Sequence, residues 1–209
     1  AHGLVRTRDW QLLSLEEVGE TLRIEFEMAD AQGGLPGWPH TVALKLLVVL
    51  DEALTLQLTS RNLGDSPVAI SQALHNYFAV SDVRQAKVGG VEGLAYIETL
   101  ADWQQRHQQG ALTFTGETDR IYLDTPPTLS IVDPGWGRRI ILTSSGSRSA
   151  VIWNPWTARA KELPDMADDG WQRMLCIETA NVWDDVVQLQ PGASCSLRVR
   201  IDCEVTPQA

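Results

Sequence analysis

In this 209-residue sequence, two ionisable side chains stand where burial would be costly. The first is His75, in the run Ala73-Leu74-His75-Asn76-Tyr77-Phe78. The second is Glu178, in Met174-Leu175-Cys176-Ile177-Glu178-Thr179-Ala180-Asn181, where a carboxylate follows four largely apolar residues. Glutamate is rarely buried without a partner, because desolvating its charge costs far more than burying a neutral group. Taken alone, His75 reads as a hydrogen-bonded core histidine, and Glu178 divides between a functional group and a buried ion pair. Taken together, they offer an acid and a base. An unperturbed glutamate (pKa ~4.3) is ionised near neutrality and accepts a proton, while a histidine (pKa ~6.5) can deliver one. Acid–base catalysts work best with pKa values near the working pH, so a partly buried Glu178 is expected to be shifted upward.

Other chemistries leave no signature. There is no Gly-rich phosphate loop ahead of a helix, no H-E-x-x-H and no G-x-S-x-G. Gly64-Asp65-Ser66, followed by Pro67 and flanked by strand-like runs, reads as a turn. The four histidines lack ligand spacing and no cysteine stands near one, so a structural zinc site is not expected. A net charge of −10 opposes nucleic acid as a partner, since a phosphate backbone demands a positive surface. An anionic small molecule would need local arginines, and Arg6, Arg8, Arg138 and Arg139 are the candidates.

Five segments, in chain order, are similar to segments of the glucose-6-phosphate 1-epimerases, the hexose-phosphate branch of the aldose 1-epimerase (galactose mutarotase-like) superfamily. They are His2-Gly3 with Arg6, Leu74-His75-Asn76-Tyr77-Phe78, Glu117-Thr118-Asp119-Arg120-Ile121-Tyr122, Val151-Ile152-Trp153-Asn154-Pro155-Trp156, and Met174 to Asn181. The resemblance implies a cytoplasmic epimerase that interconverts the α and β anomers of glucose 6-phosphate or a related hexose 6-phosphate. Ring opening and closure would need no metal or cofactor. It implies His75 as the acid at the ring oxygen and Glu178 as the base at the C1 hydroxyl. Asp119 and His2 would hold the sugar, and Arg6 would offer the 6-phosphate a bidentate guanidinium fork. Read without the resemblance, Asp119 is a turn residue after Gly116, Arg6 a solvated charge and His2 a residue at the chain's start. Trp153 and Trp156 divide between stacking on a sugar and packing in a core, and Asp165, Asp168 and Asp169 read as a solvated loop. Alternatives are a non-catalytic carbohydrate-binding β-sandwich, a structural or regulatory β-domain, and an aldose 1-epimerase of unphosphorylated sugars, indifferent to Arg6. Family members carry several strands and a further phosphate-binding arginine ahead of the His-Gly motif. A partial sandwich with exposed edges is therefore expected, prone to form a homodimer or to aggregate.

The elements that would position these residues are strands. Leu22, Ile24, Phe26 and Met28 alternate with polar neighbours, as do Leu54, Leu56 and Leu58. The clearest alternation runs from Cys195 through Leu197, Val199, Ile201 and Cys203 to Val205. Such a period of two marks half-buried strands. Thr41–Leu50 and Ala53–Arg61 flank Asp51-Glu52 as a β-hairpin. Further extended runs are expected at Val68–Ala73, Thr128–Val132, Ile140–Thr143 and Ala150–Trp153, and a short helix at Gln104–Gln109, stopped by Gly110. Gly and Pro fall mostly between these runs. The expectation is a single all-β domain over residues 1–209, an antiparallel β-sandwich of the galactose mutarotase-like kind that the resemblance also implies. No stretch approaches the roughly 18 uninterrupted apolar residues of a membrane helix. Cys195 and Cys203, eight residues apart on one strand, would lie ~26 Å from each other, too far for a disulfide. Cys176 could reach either one, but an odd count with no spacing motif favours reduced thiols.

Overall fold

The computed structural model describes residues 2–28, 35 and 37–206. Among the described residues, seventeen strands, numbered in chain order, form three antiparallel sheets. The largest sheet runs, edge to edge, β1 (Trp10–Val18), β2 (Thr21–Met28), β3 (Val42–Leu50), β4 (Leu54–Asn62), β17 (Ser194–Val205), β13 (Arg138–Ser145), β12 (Thr128–Asp133), β7 (Lys87–Gly89) and β10 (Leu112–Thr113). The second runs β6 (Gln72–Ala79), β15 (Met174–Asn181), β14 (Ser149–Asn154), β11 (Thr118–Tyr122), β8 (Ala95–Glu98) and β9 (Gln104–His107). β5 (Val68–Ile70) and β16 (Val187–Leu189) pair separately. A single short α-helix, α1 (Trp156–Ala160), is described, beside three 3-10 turns.

The period-two pattern predicts which side chains face inward, and the two large sheets pack through those faces. Leu142, Leu197 and Val199 of the nine-stranded sheet share one buried cluster with Leu74, Ile152, Leu175 and Ile177 of the six-stranded sheet. Cross-strand register then exposes an asymmetry. Leu197, Leu58, Leu46, Phe26 and Leu12 form one row across five strands. Exposure along it climbs from 0% at Leu197 and 8% at Leu58 to 51% at Leu12. The next row does the same, from Val199 at 0% to Leu15 at 60%. The six-stranded sheet therefore covers the middle of its partner and leaves the inward face of β1 and β2 partly bare.

The Asp51-Glu52 hairpin forms as expected, with Leu50 opposite Leu54 and the Asp51 carboxylate accepting from the Ala53 amide (2.8 Å). The helix expected at Gln104–Gln109 does not form, since Gln104–His107 is strand β9. It is an edge strand with all four residues exposed, so it needs no apolar side chains and shows no alternation to read. The run Val68–Ala73 is interrupted at Ser71, where the chain leaves β5 and enters the second sheet at Gln72. All three cysteines are free. No described helix is long and apolar enough to cross a membrane.

Candidate active site

β6 and β15 are antiparallel neighbours, and their register sets His75 directly opposite Glu178. Alternation along each strand points Leu74, Leu175 and Ile177 into the core, and His75 and Glu178 away from it. A second row lies beside the first. Asp119 on β11 faces Trp153 on β14, Trp153 faces Cys176, and Cys176 faces Tyr77. Two adjacent cross-strand rows thus form the floor of a cleft on the outer face of the six-stranded sheet. Its walls come from the segment His2–Arg6, the chain after α1 and the β8–β9 turn. The cleft holds about 810 Å³, within the usual range for small-molecule sites. Because the other sheet covers one face of β15 and the cleft walls the other, all eight of its residues are buried, including Glu178. That double coverage produced the apolar run in the sequence.

His75 Nε2 lies 3.2 Å from Glu178 Oε1. The imidazole stacks on Tyr77, with centroids 4.9 Å apart and planes 11° from parallel, and meets the edges of Trp153 and His2. Its Nδ1 is buried with no hydrogen-bond partner among the described residues. A cationic ring would leave an N–H unpaired there, so the neutral ring is favoured. Burial depresses the His75 pKa, and the charges of His2 and Arg6 add to the effect. Burial pushes Glu178 up to about 7, with the Asp119 carboxylate contributing. Asp119 is itself raised by burial and by Glu98. The upward shift expected for Glu178 is present, and both members of the pair are driven toward neutrality.

The five residues singled out in the sequence, His2, Arg6, His75, Asp119 and Glu178, all line this one cleft. Asp119 lies within a strand, not in a turn. Of the four candidate arginines, Arg6 is the one in the cleft. Arg138 instead pairs with the fully buried Asp133 (3.3 Å), and Arg139 donates to the Ser130 hydroxyl (3.2 Å). Trp156 packs against Trp171 at 4.3 Å, a core role, while Trp153 faces the cleft. Asn154 between them is structural. Its Nδ2 donates to the carbonyls of Trp171 (2.9 Å) and Met174 (2.8 Å), and its Oδ1 accepts from the Trp156 amide (2.9 Å). Asp165 is exposed as expected and borders the cleft. Sequence reasoning missed Trp103 and Arg159 as lining residues, and Tyr77 as the platform for His75. Tyr77 was recoverable, because two residues along a strand from His75 is the same face.

Two antiparallel sheets packed face to face, with an imidazole and a carboxylate paired in a cleft outside one of them, define a galactose mutarotase-like β-sandwich. A galactose mutarotase-like protein from Clostridium acetobutylicum has this fold (TM-score 0.71, 17% identity, covering 98% of this chain and 69% of that one). The aldose 1-epimerase family model matches residues 1–202, and the chain belongs to that family. A protein of Cenchrus ciliaris named "Putative glucose-6-phosphate 1-epimerase" is 31% identical across 96% of this chain and 64% of its own length. An Escherichia coli protein of the same name is 30% identical, over 86% of this chain and 60% of that protein. The crystal structure of a "putative mutarotase" from Salmonella typhimurium superimposes with a TM-score of 0.84 at 27% identity, covering 94% of this chain and 65% of that one. The chain thus spans somewhat under two thirds of the length of these relatives.

Proposed function

We propose that the chain is an epimerase of hexose 6-phosphates that uses His75 and Glu178 as its acid and base. One observation carries this reading: the opposed pair, 3.2 Å apart, shares the floor of a cleft with Asp119, and a wall brings Arg6 to the same space. Anomerisation requires two proton transfers around a single carbon. Glu178 takes the proton of the C1 hydroxyl as the C1–O bond becomes a carbonyl and the bond from C1 to the ring oxygen breaks. His75 delivers a proton to the departing ring oxygen, which becomes the C5 hydroxyl. Rotation about C1–C2 presents the other carbonyl face, and closure reverses both transfers. A pair already in contact loses little in orienting, and each positioned acid or base contributes ~10²–10⁴ in rate. The relatives' names and the placement of Arg6 support a phosphorylated substrate.

The test starts from pure α-glucose 6-phosphate and follows its equilibration against the spontaneous rate. Acceleration by the protein and its loss in Glu178→Gln are expected; undiminished acceleration in that variant discards the assignment. Arg6→Ala should raise KM for glucose 6-phosphate and leave that for glucose unchanged. No effect on either sugar would favour an epimerase of unphosphorylated sugars.

A further inference from the structure

Among the described residues, five that are not glycine have a left-handed backbone, and two of them touch. Trp103 and Trp183, each with φ 57°, stack their indoles with centroids 5.8 Å apart and planes 9° from parallel. Both are about half exposed. A side chain in this conformation costs roughly 1–2 kcal/mol, so such strain persists only where the surroundings impose it. Trp103 closes the β8–β9 hairpin. The Gln104 amide donates to the Ala101 carbonyl (3.1 Å), and both residues between, Asp102 (φ 53°) and Trp103, are left-handed. That is type I′ turn geometry, in which the second central position favours glycine. Trp183 is held just as firmly. In its turn, the Asp185 carboxylate accepts from the Arg148 amide (2.7 Å), Asn181 Nδ2 (3.2 Å) and the Ser149 hydroxyl (3.3 Å).

Trp103 also lines the cleft with His75, Asp119 and Glu178. We propose that Trp103 is a sugar-stacking residue, its indole packing on a C–H face of the hexose ring, and that Trp183 is a positioning residue that holds the indole from behind. The proposal deepens the epimerase reading and rests on it. An epimerase must hold both anomers, which differ only in the direction of the C1 hydroxyl. Stacking on ring carbons is indifferent to that direction, whereas a hydrogen bond to the C1 hydroxyl is not. The contact therefore serves substrate and product alike, and its loss should raise KM while sparing kcat.

Trp103→Gly is the informative variant, because the turn accepts glycine and the fold is retained. The ligand is 1,5-anhydroglucitol 6-phosphate, which has the ring but no C1 hydroxyl and cannot open. Affinity for it should fall about tenfold in Trp103→Gly, with a matching rise in KM for glucose 6-phosphate at unchanged kcat. Trp183→Ala should shift KM in the same direction, and Trp183→Phe should restore it. Wild-type affinity in Trp103→Gly overturns the proposal, whatever the protein's activity. Trp103-dependent binding by a wild-type protein that does not speed equilibration leaves the stacking subsite standing and removes the epimerase reading instead.

Discussion

Burial moves His75 and Glu178 in opposite directions, down from 6.5 and up from 4.5 to about 7, so their usual proton order is inverted. The arrangement that the proposed reaction requires, carboxylate beside imidazolium, holds the same number of protons as the resting neutral pair. Activity should follow a bell-shaped pH profile whose two limbs belong to the pair and not to either residue. Removing the Arg6 charge in Arg6→Ala should move the alkaline limb upward, since that charge opposes protonation of His75. The same shifts affect stability. A carboxyl whose pKa is raised on folding stabilises the fold below its unfolded value, and that contribution is lost as pH rises through about 7. For Glu178 the loss is on the order of 3 kcal/mol, less whatever the neighbouring imidazole returns. Glu178→Gln has no such loss. Thermal melts should give similar midpoints for the two proteins near pH 5, and a midpoint roughly 5 °C or more higher for Glu178→Gln at pH 8.5.

The elements hold this pair through backbone register, and one turn secures the frame. Gly146, between β13 and β14, has φ 79°, and a Cβ there would run into the Ser196 carbonyl of β17. Gly146→Ala combines a disfavoured backbone with a backbone clash and should destabilise by about 3 kcal/mol or more, measured by urea unfolding. Strands with one wet face, such as β17 and β4, were legible because alternation records which side is buried. β15 carries no alternation, since sheet and cleft walls bury both its faces; only the misplaced charge of Glu178 gave it away. β9 carries none for the opposite reason, both its faces being exposed. The cleft residues were legible where an ionisable group broke an apolar pattern or a resemblance marked it. Trp103 was not, because nothing in one sequence says that a tryptophan occupies a glycine's place in a tight turn.

At the scale of the molecule, the two sheets are unequal in width, and Leu12 and Leu15 lie on the uncovered stretch of the wider one. A bare apolar sheet face at an edge invites association. The native chain should bind the dye ANS, and Leu12→Glu with Leu15→Lys should lower its fluorescence and raise solubility with little change in the melting midpoint. His75 and Glu178 are about a hundred residues apart in sequence and meet only because β6 pairs with β15. Contacts between such distant segments form slowly, since a long loop must close before they can. When the denatured chain is diluted into buffer, recovered turnover will therefore lag behind the return of β-sheet circular dichroism, and the lag will time the closing of that one seam.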